Sequence, residues 1–306
     1  MLLALGLAAF AISVAVLIWA GSRPAPRPYP AYGWWALAAM ALLEILLALG
    51  VPAVTTFFTA LIWTAFIPAV DAAVYRLRGD SRLRRPARFA ALCLLSIPVW
   101  LIFEAYNLAL RNWRYVGVPR QFWLFVLGGA WAFATILPGL FEVADLLLAA
   151  GLERARAAPA RANAAWGRGA VAAGAAMLIV PVAVPAWLGP YLFGLVWGGF
   201  VLLLEPINLR LGLPSLWADL EAGRPGRIYA LLASGAICGF CWEFWNFWAA
   251  ARWEYVFPIF QRFKVFAMPL PGFLGFPPFA LECFALTGII SWLALPEPLR
   301  PFEENR

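Results

Sequence analysis

The sequence contains no histidine, a single lysine and few charged residues of any kind. Only 13% of its 306 residues are charged, whereas an average soluble domain has about 25%. The absence of histidine excludes zinc and haem sites with histidine ligands and general bases of that type. Cysteine is scarce as well, since the chain has four. All four lie inside apolar runs, so we expect no secreted disulfide framework.

Apolar residues dominate the chain. They make up 64% of it, and the mean hydropathy is +0.81. A soluble fold cannot cover so much apolar surface with so few charged side chains, so the composition predicts an integral membrane protein. In a membrane protein, a net charge of +7 reflects basic loops that set the orientation of the chain in the bilayer. We therefore expect no nucleic-acid partner.

The hydrophobic pattern predicts an all-α, polytopic fold with about nine spans, because a helix needs about 20 mostly apolar residues to cross the hydrocarbon core. The first stretch lacks the basic residues of a signal peptide, so we treat it as a span. The fifth and ninth stretches are long and contain proline, at Pro138 and at 269–278. We therefore expect a short or re-entrant segment there, followed by a second helix. The predicted spans are roughly 1–20, 32–50, 52–75, 88–110, 122–150, 168–188, 190–208, 228–250 and 265–295.

The basic residues are distributed unevenly between the two sets of loops. Most arginines follow spans 1, 3, 5 and 7 or lie at the C-terminus. The positive-inside rule places those segments in the cytoplasm, so we expect the N-terminus outside and the C-terminus inside, in a bacterial inner membrane. The basic residues of the opposite side are Arg111, Arg114, Arg120, Arg252, Arg262 and Lys264.

A motif in the first half of the chain recurs in the second half at nearly constant spacing. Glu104, Asn107, Trp113 and Tyr115 correspond in this way to Glu243, Asn246, Trp253 and Tyr255. We interpret the chain as a duplicated four-span unit, with residues 32–150 as the first copy and 168–306 as the second. Residues 1–31 form an added span and loop, and 151–167 a basic cytoplasmic linker. Because four spans are an even number, the copies are parallel and a shared site is expected between them.

Four glutamates stand out because a carboxylate inside hydrocarbon is costly and is a functional candidate by default. Glu104 and Glu243 each share a helix face with the asparagine three residues later. Glu142 and Glu282 follow the two proline-rich breaks. We expect all four to converge between the halves, on the outer side of the midplane, under a lid made of residues 111–120 and 252–264. The alternative is structural pairing of Glu104 with Arg111 or Arg114 and of Glu243 with Arg252.

One stretch of the first half resembles a known membrane-enzyme pattern. The pattern has Pro98, Trp100 and Glu104 on one helix, Trp113-Arg114-Tyr115 after it, and Leu137-Pro138 leading to Glu142. This arrangement resembles the integral-membrane lycopene cyclase domain and, more distantly, membrane carotenoid hydratases and small transmembrane terpene cyclases. The resemblance covers about residues 97–145 and, more weakly, 240–285. That family is also built as a duplicated unit of a few spans.

The resemblance implies acid catalysis on an isoprenoid or carotenoid-like lipid inside the bilayer. A protonated glutamate would protonate a carbon–carbon double bond, and a second carboxylate would remove a proton, giving a cyclase-type isomerase or a hydratase with no cofactor and no metal. Aromatic faces would stabilise the carbocation. The implied catalytic residues are Glu104, Glu243, Glu142 and Glu282. The implied substrate-binding residues are Asn107, Asn246, Trp113, Tyr115, Trp253, Tyr255, Trp242 and Trp245.

Two other classes of function stay open at this point. Parallel repeats, broken helices and acids near the midplane are also typical of transporters, so the chain could be a proton-coupled transporter or a lipid-binding membrane protein. It could also be a scaffold in which the glutamates are only ion-paired. Cys238 and Cys241 allow a redox reading, but two buried small hydrophobic residues are the better interpretation. Asp71 and Glu205 lie toward the cytoplasmic ends of their spans, where they can cap or pair.

Overall fold

The computed structural model describes residues 1–160 and 164–299. Three arginines assigned above to the cytoplasmic side, Arg161, Arg300 and Arg306, lie outside these ranges. The helices are α1 Leu2–Gly21, α2 Ala31–Ala48, α3 Pro52–Arg78, α4 Pro86–Leu110, α5 Phe122–Ala134, α6 Ile136–Ala150, α7 Ala164–Ala183, α8 Val196–Arg210, α9 Leu216–Glu221, α10 Gly226–Trp248 and α11 Phe276–Ala294. The strands are β1 Trp113–Val116, β2 Arg252–Tyr255, β3 Lys264–Val265 and β4 Met268–Pro269.

Nine helical segments in the described part of the chain are long and apolar enough to cross a membrane. The prediction of a polytopic helical membrane protein is therefore confirmed at this level. Helices α5 and α6 together form one of the nine segments. Two others consist of a 3₁₀ turn continued by a helix, namely 189–195 with α8 and 270–275 with α11. The all-α prediction missed two small antiparallel pairs, β1 with β2 and β3 with β4.

The first proline-rich break differs in detail from the expectation. Helix α5 is a regular thirteen-residue helix, and the chain departs from it only at Thr135. Pro138 lies within the first turn of α6, where its missing N–H removes no helical hydrogen bond. In the second half, Pro278 occupies the corresponding first-turn position of α11, the third residue of the helix that continues the 3₁₀ turn. Both prolines therefore start a helix instead of interrupting one.

The two halves pack their helices in the same order. In the first half α2 packs against α3, α3 against α6 and α4 against α6, and in the second half α7 packs against α8, α8 against α11 and α10 against α11. Across the halves α6 contacts α10, and α4 contacts α11. Helix α1 lies against α3, α6 and α10, where Phe10 stacks on Phe244 with ring centroids 3.8 Å apart. The interior of the molecule is thus built from α3, α6, α10 and α11.

Close approach of α10 to α11 depends on Gly235. A Cβ built on this residue would lie 2.3 Å from the carbonyl oxygen of Phe276, which is backbone and cannot move aside. We expect Gly235→Ala to lower the free energy of unfolding by about 1–3 kcal/mol through overpacking. The measurement is thermal unfolding of the purified protein in detergent.

The matched control is Gly169→Ala in α7, because a Cβ at Gly169 meets no atom within 4 Å. This substitution should leave stability unchanged or raise it by up to about 1 kcal/mol, since alanine is the better helix former. Equal unfolding midpoints for the two variants would contradict the packing described for α10 and α11.

Candidate functional site

A short antiparallel ribbon, made of β1 and β2, joins the two halves just beyond the ends of α4 and α10. Trp113 lies opposite Tyr255, and Tyr115 lies opposite Trp253. Since side chains alternate along a strand, these four rings share one face of the ribbon. Arg114 and Glu254 occupy the other face, where their side chains form an ion pair of 3.2 Å.

Two asparagines tie the ribbon to the helices that precede it. The Oδ1 atom of Asn107 accepts hydrogen bonds from the backbone N–H groups of Asn112 (2.8 Å) and Trp113 (3.0 Å), and its Nδ2 donates to the Trp113 carbonyl (2.9 Å). Asn246 binds the backbone of Trp253 in the same way. Its Oδ1 accepts from the Trp253 N–H and its Nδ2 donates to the Trp253 carbonyl, both at 2.9 Å. Because both amides are occupied by backbone groups, they position the ribbon.

The aromatic face of the ribbon donates hydrogen bonds to two glutamates. Oε1 of Glu104 accepts from Trp113 Nε1 at 3.2 Å, from Tyr115 OH, and from Trp100 Nε1 at 2.8 Å. Oε1 of Glu243 accepts from Trp253 Nε1 at 3.1 Å and from Tyr255 OH at 3.0 Å. Each carboxyl group is therefore held by the tryptophan and the tyrosine of its own half.

The two tyrosines act as neutral hydrogen-bond donors. Burial, followed by the neighbouring Glu104, raises the pKa of Tyr115 well above its ordinary value of 10.0. Burial, followed by Glu243, raises the pKa of Tyr255 in the same direction. A buried phenol beside a carboxyl group resists ionisation, because the phenolate would be both desolvated and repelled. Both hydroxyl groups therefore keep their protons at physiological pH.

The two glutamate sites differ in one donor. Trp100 lies four residues before Glu104, one helical turn away, whereas Gly239 holds that position before Glu243. The ring of Phe276 packs against Gly239, so closely that a Cβ there would lie 2.3 Å from it. Glu243 is fully buried, and its Oε2 has no hydrogen-bond partner in the described part of the molecule. In the second half, an apolar ring thus packs at the helix position that Trp100 holds in the first half.

Arginine does not neutralise either glutamate among the described residues. Arg114 and Arg252, two of the partners considered from the sequence, both pair with Glu254, at 3.2 Å and 3.1 Å. Arg111 is exposed and ends α4 in the left-handed region with φ 53°. Among the described residues the ion pairs expected as the alternative are therefore not formed, because Arg114 and Arg252 pair with Glu254 and Arg111 is exposed at the end of α4.

A cavity of about 860 Å³ lies between the halves, beneath the ribbon. Its wall is mostly apolar and combines parts of α3, α4 and α5 with parts of α8, α10 and α11. Glu104 is the one acidic residue of this lining and Arg252 the one basic residue, as far as the described residues go. The largest rings of the wall belong to Trp100, Trp113, Trp197, Trp242, Trp253 and Phe279.

The predicted substrate-binding residues divide between this wall and the scaffold around it. Trp113, Tyr115, Trp242, Trp253 and Tyr255 line the cavity. Two asparagines and one tryptophan do not. Asn107 and Asn246 hold the ribbon, and Trp245 donates from its Nε1 to Oε1 of Glu44 on α2, at 2.9 Å.

The four glutamates do not converge on the cavity, which corrects the expectation. Glu104 lines it, but Glu142, Glu243 and Glu282 do not. Oε1 of Glu282 accepts from the backbone N–H of Phe200 at 3.2 Å. Glu142 is fully buried and interacts electrostatically with Asp71, Arg82 and Asp145. The reason is the direction of α6, which carries Glu142 away from the ribbon toward the arginine-rich ends of the helices.

Carboxylates near those arginine-rich ends hold loops in place. Asp71 accepts from Tyr32 OH at 2.6 Å, from Ser81 Oγ at 2.9 Å and from the N–H of Leu83 at 3.0 Å. Glu205 accepts from Ser215 Oγ at 2.8 Å. The serine follows the acid by ten residues in both cases. The same loop-holding contact therefore occurs in both halves.

Reasoning from the sequence missed several residues of the wall. Trp197 and Phe279 come from the second half and stack near Phe103, with ring centroids 5.9 Å and 5.2 Å from it. No spacing relates them to Glu104, so no pattern pointed to them. Trp100 could have been selected as a site residue, because its place one turn before Glu104 puts the two side chains on the same helix face.

All four cysteines are free, and the Sγ of Cys238 donates to the carbonyl of Gly139 at 3.7 Å. Comparison of the chain with protein-family models, curated proteins and solved structures found no match.

Removal of one asparagine tests whether the ribbon depends on these amides. Asn107→Leu keeps the side-chain size but deletes three hydrogen bonds to residues 112 and 113. We expect a loss of about 2–4 kcal/mol in the free energy of unfolding, at roughly 1 kcal/mol for each bond and more for the buried backbone groups left unpaired. Thermal unfolding in detergent measures it. Leu108→Ala is the control, because Leu108 is 82% exposed, and a similar loss in that variant would refute the role of Asn107.

Proposed function

We propose that this protein is a membrane-embedded enzyme that uses Glu104 as an acid on an isoprenoid lipid. The observation that carries the proposal is the cavity itself: an apolar, aromatic space of about 860 Å³ with a single acidic side chain in its described lining. An apolar substrate fits such a wall, and one carboxyl group supplies the chemistry. The resemblance to membrane cyclases and hydratases agrees with this combination.

The hydrogen bonds described for Glu104 engage one of its two carboxyl oxygens. The three donors, from Trp100, Trp113 and Tyr115, all end on Oε1. This leaves Oε2 as the oxygen through which the carboxyl group can exchange a proton with a ligand. The donors also fix the orientation of the carboxyl group, which is the geometric requirement for general acid catalysis.

The proposed reaction is redox-neutral. Oε2 of Glu104 gives its proton to one carbon of a double bond, a new C–H bond forms, and the other carbon becomes a cation. The indole faces around the cavity stabilise this cation, by about 2 kcal/mol or more where water is excluded. Loss of a proton from a neighbouring carbon to the Glu104 carboxylate gives an isomerised lipid. If a second double bond of the same lipid first attacks the cation, a ring C–C bond forms, and loss of a proton from the resulting cation to Glu104 gives the cyclised lipid. Capture of the cation by water, with loss of one water proton to Glu104, gives the hydrated lipid.

We also propose that the halves arose by duplication. The support is the paired arrangement of equivalent contacts: both glutamates accept from a Trp and a Tyr of the ribbon, and both asparagines bind the ribbon backbone. In the register each tryptophan faces the other half's tyrosine, as a two-fold axis through Arg114 and Glu254 requires. With the arginine-rich side facing the cytoplasm, the ribbon lies at the outer side of a bacterial inner membrane.

Proton-coupled transport is the second candidate. The observation favouring it is Glu142, a fully buried acid that interacts electrostatically with the buried Asp71 and with Arg82. A transporter would use these buried carboxyl groups, whereas the enzyme would use Glu104, so the presence or absence of a lipid product separates the candidates.

The test compares lipid extracts by mass spectrometry. Cells that express the wild-type chain should contain a lipid isomer or hydrate that is absent from cells without it. Glu104→Gln should abolish this product while the protein still accumulates in membranes, because a neutral amide keeps the shape but has no acidic proton.

Glu243→Gln is the matched control, a buried glutamate held by the same residue types but outside the cavity lining. This variant should form at least about a tenth of the wild-type amount of product, because a change at Glu243, outside the cavity lining, affects the reaction at Glu104 only indirectly. Product formation by Glu104→Gln at the wild-type level would end the enzyme proposal. Absence of any such product from cells that express the wild-type chain would favour the transporter.

A further inference from the structure

The two chain segments that contain the ribbon carry far more positive than negative charge. Residues 111–121 and 249–275 hold six basic side chains but a single acidic one, Glu254. Next to a membrane interior of low dielectric constant, unbalanced charge is screened less than it is in water. A concentration of one sign of charge attracts ions of the other sign. The imbalance therefore favours an anion as a ligand at this end of the molecule.

Three of these cations gather around the one acid. Arg114 Nη2 lies 3.2 Å from Oε2 of Glu254, and Arg252 Nη2 lies 3.1 Å from Oε1 of the same residue. Lys264 donates from its Nζ to the carbonyl of Tyr255 at 2.8 Å, and it interacts electrostatically with both Glu254 and Arg114. One carboxylate thus serves three cations, and two positive charges of this cluster stay unbalanced.

The cluster is open to a ligand and adjoins the cavity. The side chains of Arg114 and Arg252 are 65% and 37% exposed. Arg252 lines the cavity, together with Val118, Pro119 and Phe257 from the loops beyond the ribbon. Its described bonds, to Glu254 and to the carbonyl of Ala249 at 3.4 Å, use two of the five N–H donors of a guanidinium group. Arg252 can therefore bind a further acceptor where the apolar wall meets the polar loops.

We infer that the lipid of this cavity is an isoprenoid monophosphate, whose phosphate group binds Arg252 and Arg114 at the ribbon while its chain lies along the aromatic wall. The inference rests on the proposed function in taking the cavity as the lipid site. A phosphate monoester carries a charge of about −1.5 to −2 at pH 7, which matches the two unbalanced charges of the cluster. Its oxygens also suit the planar fork of a guanidinium group. A neutral hydrocarbon would leave the cluster unused.

The experiment is a competition between geranylgeranyl phosphate and geranylgeraniol, which share one chain and differ in the phosphate group. The purified full-length protein in phosphatidylcholine nanodiscs is incubated with both compounds, isolated by affinity chromatography and extracted. Mass spectrometry gives the ratio of bound phosphate to bound alcohol, normalised to empty nanodiscs. Charge-assisted hydrogen bonds from the arginines predict about tenfold enrichment of the phosphate by the wild-type protein.

Three variants locate the source of this selectivity. Arg252→Gln should reduce the enrichment to about threefold or less, because it removes the cation that lines the cavity. Glu254→Gln should raise it by about threefold, because both arginines lose their competing carboxylate. Arg262→Gln is the matched control: it removes one positive charge from the same segment, but Arg262 is exposed and lies outside the cavity lining, so the enrichment should stay at the wild-type level.

Several results would overturn the inference. They are no enrichment of the phosphate by the wild-type protein, no binding of either compound above empty nanodiscs, and wild-type enrichment by Arg252→Gln. An equal loss in Arg262→Gln would assign the effect to the general charge of the segment. The wild-type ratio and the Glu254→Gln ratio decide the matter even if Arg252→Gln fails to fold.

Two further arms separate the possible sources of the phosphate group. Excess inorganic phosphate should leave the enrichment unchanged, because the free ion gains nothing from the apolar wall. Nanodiscs with added phosphatidylglycerol should also preserve it, because that lipid lacks the isoprenoid chain. Loss of enrichment in the first arm would assign the cluster to free phosphate, and loss in the second would assign it to anionic phospholipids in general. Either loss would contradict an isoprenoid phosphate.

The failure of this inference is distinguishable from failure of the proposed function. Glu104→Gln leaves the cluster intact, so it should enrich the phosphate as the wild type does while forming no product. Full product formation by Glu104→Gln would end the proposal of acid catalysis but leave the phosphate preference standing. Equal binding of phosphate and alcohol, with product formation that still depends on Glu104, would do the opposite.

Discussion

Two carboxyl groups on apolar helices, Glu243 fully buried and Glu104 half-buried, need hydrogen-bond donors, and the ribbon of β1 and β2 supplies them. Its inner face presents Trp113, Tyr115, Trp253 and Tyr255, and its charged pair lies on the other face. Without these donors, Glu243 would be a buried polar group without a partner, at a cost of several kcal/mol in a medium without water, and Glu104 would keep only the donor of Trp100. The asparagines of α4 and α10 and the pairing of the strands all serve this one requirement. The ribbon also ties the two halves together at one end.

The same constraint separates the roles of the two glutamates. Where Trp100 adds a third donor, the carboxyl group of Glu104 lines an aromatic cavity, whereas Glu243 is fully buried outside that lining. Under the proposed duplication, both carboxyl groups hold the ribbon and only Glu104 takes part in the proposed chemistry.

Much of the fold follows from sequence because membrane spans depend on length and hydropathy alone. The recurrence of Glu, Asn, Trp and Tyr likewise pointed to the glutamate sites, since it preserved the partners of each hydrogen bond. The prediction that Glu142 and Glu282 converge on the cavity was wrong. The depth of a side chain in the membrane depends on the residue at which its helix restarts, and α6 restarts after Thr135 instead of at Pro138. Trp197 and Phe279 belong to the wall through tertiary packing, which no local spacing encodes.

The central claim is that Glu104 transfers a proton to the lipid, and isotope incorporation tests it most directly. Membranes containing the wild-type protein are incubated with isoprenoid lipids in D₂O, where the exchangeable position of Glu104 carries deuterium. The account predicts a product with one deuterium bound to carbon, formed by the wild type and absent with Glu104→Gln. A product without carbon-bound deuterium, or equal labelling in both proteins, would contradict proton transfer by Glu104.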